Sequence, residues 1–125
     1  MTLLEKQQVG DVWVVTVREN RLDAAVTRIF REEMKEMMEQ EGYVRVVLNL
    51  SHVAFMDSSG MGAIISVLKI IHPKGSFALC GVGEMVSKIF RLTRMHKVFR
   101  QYETCAEAVA ALSADAGTPA TANQQ

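Results

Sequence analysis

Residues 44–65 read VRVVLNLSHVAFMDSSGMGAII, a stretch that passes from one apolar segment through a loop into another of different spacing. Residues 44–50 are apolar except for Arg45 and Asn49, which is typical of a strand buried inside a largely parallel sheet. From Met61 onward the apolar residues recur three and four positions apart, which is the spacing of one helix face. The stretch therefore predicts a strand, a loop and a helix, the repeating unit of an α/β fold.

The segment before this unit predicts a hairpin and one helix. Residues 3–9 and 12–17 predict two strands, and Gly10-Asp11 between them predicts the turn of the hairpin. Asp23 has a side chain suited to cap the start of a helix, and Gly42 is suited to end that helix. The apolar residues between these two limits have helical spacing: Val26, Ile29, Phe30, Met34, Met37 and Met38.

The segment after this unit predicts two more strands and two more helices. Residues 77–80 and 98–102 predict the strands, and the residues between them include a helix that carries Val86 and Phe90. Thr104 and Glu107 form a capping box, which predicts the start of a fourth helix. The whole order favours an α/β fold with a mainly parallel sheet and an N-terminal hairpin. Connections between parallel strands are right-handed, and if each leads to the next strand in the same direction, all four helices are predicted to pack on one face of the sheet.

The length of 125 residues fits a single domain, which we expect to span residues 1–113. Residues 114–125 are rich in Ala, Thr and Gln and predict a flexible tail, because they offer little apolar surface to bury. Lys plus Arg and Asp plus Glu number 14 each. This balance argues against nucleic acid as a direct partner, because a phosphate backbone attracts a surplus of positive charge.

Localisation is predicted from apolar runs and from cysteines. No apolar run approaches the about 20 residues of a membrane span, and the first residues lack the apolar core of a secretory signal. We therefore expect a cytoplasmic protein with no membrane partner. Cys80 and Cys105 form no redox or zinc motif. Their spacing leaves a single disulfide open, although two buried thiols are the expectation for a reducing compartment.

The loop before the second helix is the candidate functional site. Ser58 and Ser59 supply two hydroxyls at the start of the helix, and Gly60 and Gly62 leave the backbone unshielded, so that another molecule can approach closely. Loops at the carboxyl ends of parallel strands are where α/β folds place their sites. The position of these residues therefore favours a binding or regulatory function.

This region resembles the signature of bacterial anti-sigma factor antagonists, which belong to the STAS family. The resemblance extends over roughly residues 2–112 and rests on four segments: Leu22-Asp23, Val47-Leu48-Asn49-Leu50, Phe55-Met56-Asp57-Ser58-Ser59-Gly60-Met61-Gly62 and Val86-Ser87-Lys88-Ile89-Phe90-Arg91-Leu92. Residues 20–25, NRLDAA, depart from the more usual Gly-Glu-Leu-Asp lead-in and keep only its last two residues. The resemblance implies a single STAS domain.

The resemblance also implies a partner switch in which Ser58 is the phosphorylated residue. The unmodified protein would bind an anti-sigma factor that is also an ATP-dependent serine kinase, and this binding would release the sigma factor. Phosphorylation of Ser58 by the kinase would separate the complex, and a metal-dependent serine phosphatase would restore the unmodified form. We assign the partner-binding surface to the residues around this serine: Asp23, Met56, Asp57, Ser59, Gly60 and Met61.

Elementary electrostatics agrees with such a switch. A phosphate adds about −1.5 to −2 charges at neutral pH. The N-terminus of a helix tolerates an anion, so we expect the fold to survive the modification. A docked partner is expected to tolerate it poorly, because its surface would have to bury or repel the new charge.

Each predicted contact also has a structural alternative. Asp23, Asp57 and Ser59 are residue types that cap helices. Met56 and Met61 are residue types that fill cores, although methionine also suits adaptable binding surfaces. Ser58 itself is suited to cap a helix, and the sequence alone leaves these alternatives open.

Other functions were weighed on the same residues. A STAS domain can also be a subunit of another assembly, such as a lipid transporter or a stress-sensing complex. A weak nucleotide-binding protein is a third possibility, but Gly81-Val82-Gly83 lacks the third glycine of a dinucleotide fingerprint because Val86 stands there. We expect no enzyme, since the nucleophile elbow Gly-x-Ser-x-Gly is absent around Ser58. We also expect no cofactor and no metal, because no cluster of Cys or His is present.

Overall fold

The computed structural model describes residues 3–42 and 44–114. The strands are β1 Leu4–Val9, β2 Val12–Val17, β3 Arg21–Leu22, β4 Arg45–Asn49, β5 Phe55–Met56, β6 Ser76–Cys80 and β7 Gln101–Tyr102. The α-helices are α1 Ala24–Glu41, α2 Ser58–Ile71, α3 Glu84–Leu92 and α4 Cys105–Ser113, and a short 3-10 helix spans Met95–Lys97. The predicted tail, residues 114–125, lies outside the described residues except for residue 114.

The main sheet has five strands in the order β1-β2-β4-β6-β7. The first two strands pair antiparallel, and β2, β4, β6 and β7 run parallel to one another. Their side chains are mostly buried on both faces along β4 and β6, as the continuous apolar runs of a parallel sheet require. The predicted α/β fold with an N-terminal hairpin is therefore confirmed.

The limits of α1 follow from the two residues that the sequence singled out. Asp23 is the N-cap, and its carboxylate accepts a hydrogen bond from the amide of Ala25. Gly42 ends the helix in the left-handed conformation, with a φ of 61°, and its amide donates to the carbonyl of Met38. Between these limits Phe30 and Met34 are buried against the sheet, so the helix is held by its apolar face.

One helix lies on the other face of the sheet, so the prediction of four helices on one face is wrong. Side chains alternate between faces along a strand, and Val46 and Leu48 of β4 pack in the core that α1, α2 and α3 cover. Val47 points the other way and packs in a second core with Ala108 and Leu112 of α4. Because the central strands are apolar on both faces, the second face also needs a cover, and α4 supplies it.

The two cysteines are joined in a disulfide, so the expectation of two thiols is wrong. Cys80 is the last residue of β6 and Cys105 is the first residue of α4. Their Cα atoms lie 5.2 Å apart, which is within the ordinary range for a bridge. A separation of 25 residues gave no sign of this contact, which arises because α4 begins beside the end of β6.

The described chain offers no helix with both the length and the apolar character needed to cross a lipid bilayer.

Candidate functional site

Two very short strands bring the starts of α1 and α2 together. Arg21 and Leu22 of β3 pair in parallel with Phe55 and Met56 of β5. The amides of Ala54 and Phe55 both donate to the carbonyl of Asn20, which extends the pairing by one residue. Each strand then enters its helix directly through an aspartate, so the two N-terminal caps lie side by side.

Asp57 is the cap of α2 and uses one carboxylate oxygen for the first turn of that helix. Its Oδ1 accepts hydrogen bonds from the amides of Ser59 and Gly60, both at 3.0 Å. The same oxygen accepts the hydroxyl of Ser59 at 2.6 Å. The structure thus confirms the capping role that the sequence suggested for Asp57 and shows Ser59 as its supporting neighbour.

The second carboxylate oxygen of Asp57 reaches the other helix. Its Oδ2 accepts a hydrogen bond from the amide of Ala24, the first residue of α1, at 3.2 Å. Asp23, which caps α1, accepts in turn from the guanidinium Nε of Arg21 at 2.8 Å. One carboxylate therefore joins the two helix starts, and the caps Asp23 and Asp57 lie on neighbouring strand ends.

These contacts hold the pKa of the Asp57 carboxyl below its ordinary value of 3.8, chiefly through the hydrogen bond from the Ser59 hydroxyl and then through the Gly60 amide. A depressed pKa in the folded state means that the ionised carboxylate favours folding. This contribution is present above pH 3.8 and is lost as the pH falls through the folded-state pKa.

We expect Asp57→Asn to lower the midpoint of urea unfolding near neutral pH, because an amide has one acceptor oxygen where the carboxylate uses two. The difference from the unsubstituted protein should shrink as the pH falls below 3.8, where the carboxylate becomes protonated. Urea titrations followed by circular dichroism across this pH range measure both effects. Ser58→Ala is the matched control and should unfold like the unsubstituted protein. A difference that stays constant down to the lowest pH would contradict this account.

Ser58 is the first residue of α2, and its side chain is exposed. Within residues 3–42 and 44–114, its hydroxyl takes part in no hydrogen bond. Of the three amides in the first turn, those of Ser59 and Gly60 already donate to Asp57. The serine hydroxyl is therefore open to an enzyme from the solvent side.

The other predicted contact residues separate into surface and core. Asp23, Asp57 and Ser59 are half-buried and remain reachable. Met56 is 0% exposed and Met61 is 7% exposed, so their side chains belong to the core, and a contact of the Met56 side chain with a docked partner is contradicted by this packing. The reason is that Met56 belongs to β5 and points inward with the strand, while Met61 faces inward from the first turn of α2.

Gly60 has a structural role that its exposure alone does not reveal. It is buried, and a Cβ at this position would overlap the carbonyl oxygen of Leu22 and come within 3.0 Å of Met56 Cγ. Glycine thus allows the first turn of α2 to approach the end of β3. The expectation that the bare backbone of Gly60 admits another molecule is therefore wrong, because the Leu22 carbonyl already fills that space.

Two exposed apolar residues near this loop escaped the sequence reasoning. Phe55 is partly exposed, and the guanidinium of Arg21 lies 5.0 Å from the centre of its ring. Leu92, at the end of α3, is the most exposed of the large apolar side chains in the described part of the chain. The two-residue strand that holds Phe55 is too short to show a periodicity, whereas the helical spacing of α3, with Val86 and Phe90 on its buried side, could have marked Leu92 as exposed.

The described residues include no group of three or more His, Cys, Asp or Glu side chains arranged to hold a metal ion. A hydrolase built on Ser58 would also need a histidine within hydrogen-bond reach. No hydrogen bond joins Ser58 to a histidine in the described segments.

Comparison with known proteins gives matches over most of the chain. The family model for the STAS domain matches residues 4–108. A Thermotoga maritima protein named as a candidate anti-sigma factor antagonist is 30% identical over 102 residues, which cover 81% of this chain and 89% of that protein. The anti-sigma F factor antagonist of Paenibacillus polymyxa is 31% identical over 83 residues, 66% of this chain and 71% of that protein.

Solved structures show the same architecture. The anti-sigma factor antagonist SpoIIAA in its unphosphorylated form superposes with a TM-score of 0.74 at 19% identity, covering 89% of this chain and 96% of that one. The phosphorylated form of SpoIIAA from Bacillus superposes with a TM-score of 0.65 at 19% identity, covering 86% and 97%. At this identity the likeness concerns the fold.

Proposed function

The chain belongs to the STAS domain family, and on that premise we propose that it is an anti-sigma factor antagonist whose binding is switched by phosphorylation of Ser58. The unmodified protein binds an anti-sigma factor that is also a serine kinase, and the phosphorylated protein is released. A metal-dependent serine phosphatase restores the binding form. The protein acts by binding and carries out no catalysis of its own.

The observation that carries this proposal is the state of the Ser58 hydroxyl. It is exposed at the first residue of α2 and is free of hydrogen bonds within residues 3–42 and 44–114. A kinase can therefore reach it without opening the fold. A serine whose role was to cap the helix would instead direct its oxygen to the amides of the first turn, and Asp57 performs that role here.

The charges around Ser58 explain how one phosphate would change the surface. A phosphoserine carries about −1.5 to −2 charges at neutral pH. The Asp57 carboxylate already accepts from the Ser59 and Gly60 amides, so these donors are not open to the phosphate. Asp23 caps the neighbouring helix, and its carboxylate is paired with the guanidinium of Arg21 at 2.8 Å. The phosphate is therefore repelled by the adjacent Asp57 carboxylate and adds negative charge at the exposed start of α2, where a partner would dock.

The relatives supply support of a different kind. Matched proteins are named anti-sigma factor antagonists, among them one specific for an anti-sigma F factor. SpoIIAA, which shares the fold, is known in both an unphosphorylated and a phosphorylated form. We carry the named role over to this chain because Ser58 stands free at the start of α2.

The location that follows from this role is the cytoplasm, where sigma factors act.

Phosphorylation by the cognate kinase tests this proposal directly. Each anti-sigma factor with serine kinase activity in the source genome is purified, mixed with this protein and ATP, and the intact mass is measured. We expect one phosphate on the unsubstituted protein and on Ser59→Ala, and none on Ser58→Ala. Modification of Ser58→Ala, or no modification by any of these kinases, would overturn the proposal.

A further inference from the structure

Resting on the proposed function, we infer that the docking surface extends from Ser58 across the end of α3, and that the partner presents an acidic surface with an apolar pocket there. The part of the protein concerned is here called the α3 surface. It consists of four cations and two apolar side chains: Lys88, Arg91, Arg94, Lys97, Met85 and Leu92.

The α3 surface is a basic part of a chain whose charges balance overall. No Asp or Glu occurs between Met85 and Tyr102, and the acidic residue of α3 is the exposed Glu84, one helical turn before Lys88. The four cations are exposed, and within the described segments no carboxylate forms an ion pair with any of them. Arg91 donates only to the Ser87 hydroxyl, at 2.8 Å. Their positive charge is therefore available to a partner.

Two exposed apolar side chains of the α3 surface lie on one side of α3, beside some of these cations. Leu92 is 75% exposed and Met85 is 54% exposed. They are seven residues apart, about two turns of a helix, so they share one face. The core-facing side of the helix is already filled by Val86 and Phe90. An apolar pair exposed beside unpaired cations is typical of a protein–protein contact, where an apolar anchor is surrounded by polar groups.

The end of α3 adjoins the site proposed for the switch. The hydroxyl of Thr93, the residue after α3, donates to the carbonyl of Ile89 at 2.8 Å and lies 3.6 Å from Sδ of Met61. Met61 lies three residues after Ser58 in the first turn of α2. Phe90 and Phe99 pack with ring centres 5.3 Å apart and fix both sides of the turn that carries Arg94. Because α3 also packs against β5, the strand that leads through Asp57 into Ser58, the α3 surface adjoins the start of α2.

Arg94 itself has an unusual backbone. Its φ of 63° is in the left-handed region, which favours glycine. Among non-glycine residues in the described part of the chain, it alone has a positive φ. Such a conformation costs free energy and persists where the surroundings fix it, often at sites of function. An arginine in place of glycine here keeps a long cation at the edge of the α3 surface.

The chemistry of the partner follows from these observations. Four cations outnumber the one carboxylate on α3, that of Glu84, so this surface is complementary to an acidic one, and Leu92 requires an apolar pocket. Near Ser58 the Asp57 carboxylate is hydrogen-bonded within the fold and Asp23 is paired with Arg21, whereas a dianion on Ser58 would be an uncompensated charge that repels the same partner. A lipid membrane fits less well. The helix has nine residues and its main apolar side is buried in the core, whereas membrane-surface helices insert that side.

The test compares binding of matched variants to the serine-kinase anti-sigma factors of the source genome, each purified and titrated calorimetrically. We expect Leu92→Asp, and separately Lys88→Glu with Lys97→Glu, to weaken binding by at least about tenfold. The control for the first is Ile70→Asp on α2, where the side chain is 59% exposed. The control for the second is Lys35→Glu with Lys74→Glu, which changes the net charge equally. Both controls should bind like the unsubstituted protein.

The outcomes separate this inference from the proposed function. If the unsubstituted protein binds one kinase and the α3-surface variants bind it equally well, the inference is overturned and the proposed function stands. If the unsubstituted protein binds none, both are overturned. Loss of binding to phosphatidylglycerol vesicles without loss of kinase binding would assign the α3 surface to a membrane instead and also overturn the inference. Circular dichroism of each variant verifies that it is folded.

Discussion

Phosphorylation of Ser58 is expected to weaken binding of the anti-sigma factor by on the order of 100-fold or more, and Ser58→Asp by about tenfold or more. Two unit charges 4 Å apart interact by about 4 kcal/mol at an effective dielectric of 20, and 1.4 kcal/mol corresponds to about tenfold in affinity. Half of that repulsion energy, about 2 kcal/mol, is therefore enough for the tenfold loss of affinity expected of Ser58→Asp. The Ser58→Asp effect is smaller because aspartate carries one charge at a shorter reach. Calorimetric titration of the anti-sigma factor with four forms of the protein gives the affinities. The forms are the unsubstituted protein, the Ser58-phosphorylated protein, Ser58→Ala and Ser58→Asp.

Ser58→Asn is the control that separates charge from size. Asparagine has nearly the shape of aspartate and no charge, so we expect it to bind close to Ser58→Ala. If Ser58→Asn and Ser58→Asp weaken binding equally, steric exclusion rather than repulsion operates the switch. If none of the forms differs, Ser58 has no part in the interface.

Gly60→Ala is expected to destabilise the fold by about 3 kcal/mol, the upper part of the range for overpacked positions. The added Cβ would overlap the Leu22 carbonyl oxygen, which is backbone and belongs to the paired end of β3. The same carbonyl accepts the amide of Asp57 at 3.4 Å. Relief of the overlap must therefore move β3 away from α2, against the contacts that Asp57 makes to α1.

Gly62→Ala is the matched control, since it places the same substitution two residues further along the same helix. A Cβ there would meet only Arg31 Nη2, at an ordinary 3.7 Å. Alanine in a helix is favoured over glycine by about 0.5–1 kcal/mol, so this variant should be slightly more stable. Urea unfolding of both variants measures the contrast. Equal stabilities would mean that the close approach of Gly60 to Leu22 does not exist in solution.

Most of the regular elements could be predicted because each has a local signal. The helix α1 begins after Asp23, whose side chain accepts a hydrogen bond from an amide of the first turn. It ends at Gly42, which adopts the left-handed backbone conformation. The capping box of Thr104 and Glu107 is present as predicted, with both reciprocal hydrogen bonds. The strand, loop and helix start around Ser58 were also predicted from local patterns, whereas its assignment as the phosphorylated residue rests on the resemblance to the STAS family.

The remaining features depend on contacts between distant segments. The β3–β5 pair has two residues in each strand, too few to show any periodicity. The predicted last strand, residues 98–102, is only Gln101–Tyr102, because its first residues pack as a turn after the 3-10 helix. The burial of Met56 follows from the packing of β5 against the main core, and the place of α4 follows from the face of the main sheet that lacks cover, neither of which a short pattern encodes.

The position of α4 decides where anything joined to the end of this domain would stand. Because α4 crosses the sheet on the side away from α2, the chain leaves residue 114 with the full thickness of the sheet between it and Ser58. A fluorophore, an affinity tag or a fused protein attached after that residue begins on the reverse of the molecule. It would leave the approach of a kinase unobstructed, whereas an attachment to the loop between β5 and α2 would not.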